Sequence, residues 1–205
     1  MKTFNIFGVI LFLLLISSCA KTFYSPDAQN LAENHRSIAI APPVVTIQAT
    51  KKMTPQDVEL QQRAETQSFQ EEMYSWMLKR KSQGKIKPEV QDLQTTNAKL
   101  KEAGYPEKML TTAQMCEVLG VDGIISSNYH LSKPMSEGAA VVTTILIGVG
   151  STNEVHAALN INDCSQQKLI WNYDHKFAGG IGSTPSRLVD NLMREASKKM
   201  PYVKK

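Results

Sequence analysis

Three polar side chains in the C-terminal half have the chemistry of metal ligands. His130 lies in "DGIISSNYHL", His156 in "EVHAALNIN" and Asp174 in "KLIWNYDHKF". Two imidazoles and a carboxylate are a donor set for zinc. Each stands alone in its segment, so only tertiary pairing would unite them. A solvated sheet face explains the same residues, and we expect no metal and no cofactor. "AGGIGSTPSR", at 178–187, leads glycines into a helix start, where backbone amides and the helix dipole favour anions. A plain helix cap accounts for it equally well. A nucleophile needs a base and an orienting group. The sequence holds no serine elbow, HExxH, Walker loop or CxxC, so no catalytic residue is assigned and no enzyme is expected.

The cysteines carry more. Lys2 is the only charge in the first twenty residues, and Phe4 to Ile16 is apolar apart from Asn5 and Gly8. That run is shorter than the about 20 residues a spanning helix needs. It has the form of a secretory signal, with Lys2 as its positive start. Ile16-Ser17-Ser18-Cys19 resembles the bacterial lipobox. The resemblance implies that the Cys19 thiol takes a diacylglycerol, that the chain is cut before it, and that the new amine is acylated. More than one acyl chain is what stable anchoring requires. The expected organisation is a signal peptide at 1–18, a lipidated tether at 19–36 and one domain at 37–205. The first partner is then a membrane, reached through Cys19. Ala20 after the anchor, rather than aspartate, is compatible with the outer membrane of a bacterial envelope, facing the periplasm.

Cys116 and Cys164 remain. An exported compartment permits a disulfide. Cys116 sits among Met115, Val118 and Leu119 and reads as core, whereas "NDCSQQ" around Cys164 reads as a turn. Nothing in the sequence brings them together, and two free thiols are expected. The formal net charge is +4, with the cations dispersed apart from "LKRKSQGKIK" at 78–87 and lysine pairs near the end. That is too mild for nucleic acid. Hydrophobic content of 42% with 20% charge is that of a globular domain.

The elements that must position these residues follow from punctuation and period. "SIAIAPP" is a strand stopped by its prolines. Thr54 caps a helix with Pro55 first, running to about Arg80, its second half the better buried. Gly84 closes it, and "KIKPEVQD" is a strand kept near an edge by Pro88. Short helices follow, one ended by Gly104, the next capped at Thr111 or Thr112 and ended by Gly120. Three segments then alternate strictly. Ile125, Tyr129 and Leu131 oppose Ser126, Asn128 and His130. Val155, Ala157, Leu159 and Ile161 oppose His156, Asn160 and Asn162. Leu169, Trp171, Tyr173 and Phe177 oppose Asn172, Asp174 and Lys176. A last helix begins at Pro185 and stops before Pro201. The fold class is α/β: a mixed sheet with crossover helices in the first half, then a three-strand antiparallel meander and a C-terminal helix.

The sequence of "IAIAPP", a long helix, "LGVDGIISSNYHL", "ALNINDCSQQKLIWNYD" and a terminal helix ending in "MPY" resembles a family of bacterial lipoproteins with the fold of the TolB amino-terminal domain. CsgG, a curli secretion lipoprotein, and LpoB, an activator of penicillin-binding proteins, share that fold. The resemblance implies cell-envelope work through protein partners, and it carries no catalytic residues across.

One segment stands apart. "GAAVVTTILIGVG", at 138–150, has no charge and no alternation. Ala139, Val141, Val142, Ile145 and Ile147 are the candidate interaction surface, an apolar contact for a partner or a second copy. The expected function is a lipid-anchored envelope module acting by protein contact. The alternatives are an oligomeric secretion or channel component of the CsgG kind and, less favoured, a small-molecule or metal-binding enzyme.

Overall fold

The computed structural model describes residues 20–51, 53–132, 154–178 and 185–203. The central feature is a seven-stranded mixed sheet. Its strands are β1 (Lys21–Tyr24), β2 (Ser37–Ile40), β3 (Val44–Ile47), β4 (Glu89–Val90), β5 (Gly123–Ser132), β6 (Glu154–Asp163) and β7 (Lys168–Ala178). The helices are α1 (Ala28–Asn34), α2 (Pro55–Ser82), α3 (Leu93–Glu102), α4 (Thr112–Leu119) and α5 (Pro185–Lys199). The order across the sheet is β1-β7-β6-β5-β2-β4, with β3 also paired to β5. β2 lies parallel to β4 and β5, and β3 parallel to β5. β5, β6 and β7 form the antiparallel meander.

The helix boundaries lie where local chemistry puts them. At α2 the Thr54 side chain accepts from the Asp57 amide, while the Asp57 carboxylate accepts from the Thr54 amide. This reciprocal box satisfies two otherwise orphaned donors. Thr111 and Gln114 repeat it at α4, and Gly120 ends that helix at φ 64°, a left-handed conformation that suits glycine.

One face of the sheet buries Ile38, Ile40, Tyr129, Leu131, Leu159, Ile161 and Trp171 beneath α2 and α5. Phe69, Met73 and Met77 of α2 and Val189, Met193 and Ala196 of α5 complete this core. The two helices are joined by Trp76, whose indole N–H donates to Asp190, and by buried Arg80, which donates to Ser197. On the other face, α3 and α4 cover only the lower part of β2 and β5, through Ala39, Ala41, Ile124, Leu100 and Leu119. The small Ala39 and Ala41 allow these helices close to the backbone.

Three expectations are corrected. Residues 20–36 are not a slack tether, because β1 adds to the edge of β7, with Lys21 opposite Asp174 and Tyr24 opposite Trp171. α1 buries Ala28, Leu31 and Ala32. Elements of four and seven residues are too short to show a period. As expected, β2 stops at Ile40 ahead of the Pro42–Pro43 pair, and the chain resumes as a separate strand, β3, alongside the upper half of β5. Leu169 is exposed and Ile170 buried, because a bulge opposite Ile161 and Asn162 shifts the parity.

The third correction concerns the thiols. Cys116 and Cys164 form a disulfide, with Cα atoms 5.5 Å apart. The Cys164 amide donates to the Asp122 carbonyl, which brings the β6–β7 turn against the end of α4. No feature of either segment alone reveals this meeting.

Candidate interaction site

A wide opening runs along the outer edge of β3. It is a groove of about 780 Å³ between the first half of α2, the exposed side of α3 and the loop after α3. Val44 and Val45 form one wall, Leu93, Leu100, Tyr105 and Met109 the opposite one. Polar rungs of α2, among them Glu59, Arg63 and Gln67, form the rim. The sequence explains why the groove exists. The first half of α2 is too polar to sink into the core, so it overhangs the sheet. β4 is two residues long and leaves β3 without a strand neighbour on its outer side among the described residues. An edge strand presents unpaired backbone N–H and C=O groups.

The floor is held by an amide pair, buried Gln70 and exposed Asn97. Gln70 donates to the Ile40 carbonyl at 2.8 Å and to Asn97 Oδ1 at 2.9 Å, while Asn97 Nδ2 donates back to Gln70 Oε1 at 3.0 Å. The Ile40 carbonyl lies where the chain enters the prolines and leaves the ladder, so Gln70 satisfies it and ties α2 to α3 at once. Burial pushes the Tyr105 hydroxyl above its usual range, and Met109 is 75% exposed. The arrangement offers apolar side-chain contacts beside a free strand edge. It contains no nucleophile with a base.

His130, His156 and Asp174 do share the open polar face, as their parity requires. His130 is opposite His156 in the β5–β6 register, and His156 Nε2 lies 2.9 Å from Asp174 Oδ2. Both partners of that pair are substantially solvent-exposed. Among the described residues no group of three or more His, Cys, Asp or Glu is arranged to hold a metal ion. Cys19 and the candidate surface Ala139, Val141, Val142, Ile145 and Ile147 lie outside the described residues, as do the glycines of "AGGIGSTPSR".

A buried polar cluster escaped the sequence reading. His35, just after α1, places Nδ1 2.8 Å from the Tyr202 hydroxyl and Nε2 3.0 Å from Asp163 Oδ2. A carboxylate only accepts, so Nε2 carries its hydrogen toward Asp163. Burial and the nearby Asp163 and Asp122 carboxylates push the Tyr202 hydroxyl far above its usual range and keep it protonated. Burial pushes Asp163 up, but hydrogen bonds from His35, the Gln166 amide and Ser165 outweigh it and hold the carboxyl below its usual range. All three side chains are nearly inaccessible, so the cluster is a clasp between distant chain segments and not a reaction centre. Its only sequence signal is a histidine beside a strand start and a tyrosine in "MPY".

No protein-family model matches the chain, and no curated protein matches it significantly in sequence. Solved structures do resemble it. The lipoprotein GNA1162 from Neisseria meningitidis is 12% identical, with a TM-score of 0.49 over 80% of this chain and 95% of that one. The PelC dodecamer from Paraburkholderia phytofirmans is 7% identical, with a TM-score of 0.44 over 91% of this chain and 99% of that one. The LpoB C-terminal domain from Salmonella enterica is 10% identical, with a TM-score of 0.33 over 75% of this chain and 95% of that one. The first of these is a lipoprotein by name, and all three are too distant from this chain to transfer any residue or role.

Proposed function

We propose that this chain is a lipid-anchored module of the bacterial cell envelope that works by binding protein, without catalysis. The observation that carries the binding role is the groove beside the open edge of β3. An extended polypeptide segment is the occupant that such an edge fits, because only a strand can answer its row of backbone donors and acceptors. The apolar wall of Leu93, Leu100 and Met109 would then take alternate side chains of that segment. Both signs of charge line the rim, with Glu59 and Arg63 paired to each other at 2.6 Å, so charge does not select the partner. The anchor is Cys19, supported by the lipobox pattern around it. Ala20 next to it suits the outer membrane and a periplasmic position.

The test is photo-crosslinking in native membranes. A photoreactive residue at Met109 is expected to give a discrete protein adduct, and one at exposed Gln166 none. Introducing Val44→Asp beside the Met109 probe should remove the adduct while leaving the melting temperature nearly unchanged. Equal labelling at both positions, or an adduct that survives Val44→Asp, removes the groove as the binding site.

A further inference from the structure

We propose that the domain sits directly on a lipid surface, with the end of the sheet at which β1 begins turned toward the headgroups. This rests on Cys19 being acylated, as argued above. The usual picture of a lipoprotein has a slack tether that lets the domain float. Here there is no slack on the protein side. Ala20 packs against the main core, and Lys21 is already laddered to Asp174. Cys19 is the next residue, and consecutive Cα atoms are about 3.8 Å apart. Acyl chains on Cys19 therefore pull this corner of the sheet to the bilayer surface.

The topology gathers other features at the same end. β5 ends there at Ser132, β6 begins there at Glu154 opposite Ser132, and β7 ends there at Ala178 opposite Glu154. The loop after β3 lies there too. The Gln48 amide donates to the Leu131 carbonyl, and exposed Lys51 follows three residues later. Lys21, Lys51 and Lys176 lie at this end together with the carboxylates of Asp57, Glu154 and Asp174, Glu154 pairing with Lys176 at 2.8 Å and Asp174 with His156, so the seating rests on the anchor and not on charge. The opposite end carries Glu33, Asp122, Arg36, Lys168 and the buried clasp. The groove at β3 is four strand spacings, about 19 Å, from β1 and stays clear of the anchor.

The experiment uses the full-length acylated protein in vesicles containing anionic lipid with a headgroup-borne spin label. A fluorophore is attached at Lys51→Cys or, separately, at Glu33→Cys, with the Cys116–Cys164 disulfide left oxidised. Most of the fluorescence is expected to be lost at position 51 and little at 33. A twelve-residue Gly/Ser insertion between Ala20 and Lys21 should abolish the difference while the protein stays membrane-bound. Equal quenching at 51 and 33 in the uninterrupted protein, with full vesicle recovery, overturns the seating and leaves the anchor standing. Failure of the native chain to co-sediment with vesicles, when Cys19→Ser behaves identically, overturns the anchor and the seating with it.

Discussion

The Tyr202 hydroxyl lies 2.8 Å from His35 Nδ1 across a sequence separation of 167 residues. Gly123, at the start of β5, makes this approach possible. A Cβ on Gly123 would lie 2.5 Å from His35 Nδ1 and 2.8 Å from the Tyr202 hydroxyl. Gly123→Ala is therefore expected to lower stability by about 1–3 kcal/mol, because the ring is pinned on both nitrogens and cannot step aside. Chemical denaturation of the two proteins checks this. The double variant Gly123→Ala, His35→Ala should lose much less from the added methyl group.

The clasp also predicts a pH dependence. Asp163 has a native carboxyl held below its unfolded range. Its contribution is fully present above the unfolded value of about 3.9 and is lost as pH falls through the lower native value. The gap in melting temperature between the native protein and Asp163→Asn should thus hold steady from neutral pH to about pH 5 and close only at more acidic pH. A gap that closes near pH 6 would contradict the carboxylate as its source.

Reduction should matter despite the two cysteines lying in unrelated segments. The disulfide joins residues 48 positions apart. Replacing both with alanine is expected to cost about 2–4 kcal/mol. Thiol titration of the unreduced, denatured domain starting at Ala20 should find no free thiol.

The assigned faces of β7 predict unequal effects from adjacent residues. Trp171 is fully buried and stacks on Tyr173 with ring centroids 5.9 Å apart. Trp171→Ala should cost about 3–5 kcal/mol. Asn172 lies on the open face, where it donates to Asn160 at 2.8 Å. Asn172→Ala should cost about 1 kcal/mol, the worth of one ordinary hydrogen bond. Denaturant melts giving equal losses would show the faces to be misassigned.

At the start of α2, Thr54→Ala removes the hydroxyl half of the capping box and leaves the backbone amide of residue 54 donating to Asp57. The expected loss is about 1 kcal/mol. Because the first half of α2 overhangs the sheet, hydrogen exchange should show the loss as fraying of residues 55–62, with the buried turn around Met73 unaffected.

Much of this molecule was legible in one dimension. Thr54, Pro55, Thr111 and Gly120 mark helix ends because a cap is satisfied within three or four residues of itself. Tyr129, Leu159 and Trp171 mark buried faces because a strand's period of two needs no knowledge of its neighbours. What escaped depends on partners far away in the chain. Lys21–Tyr24 is a strand only because β7 offers it an edge, and Leu169 turns outward because of a bulge against Ile161. Cys116 meets Cys164 through a hydrogen bond from one turn to another. His35, Asp163 and Tyr202 have no shared motif, and the groove at Val44 exists because a two-residue β4 leaves that edge open. Short-range hydrogen bonds and periodic burial are written into neighbouring residues. Edge pairing, disulfide closure and cavities are set by which surfaces the folded sheet leaves uncovered, and only the tertiary structure decides that.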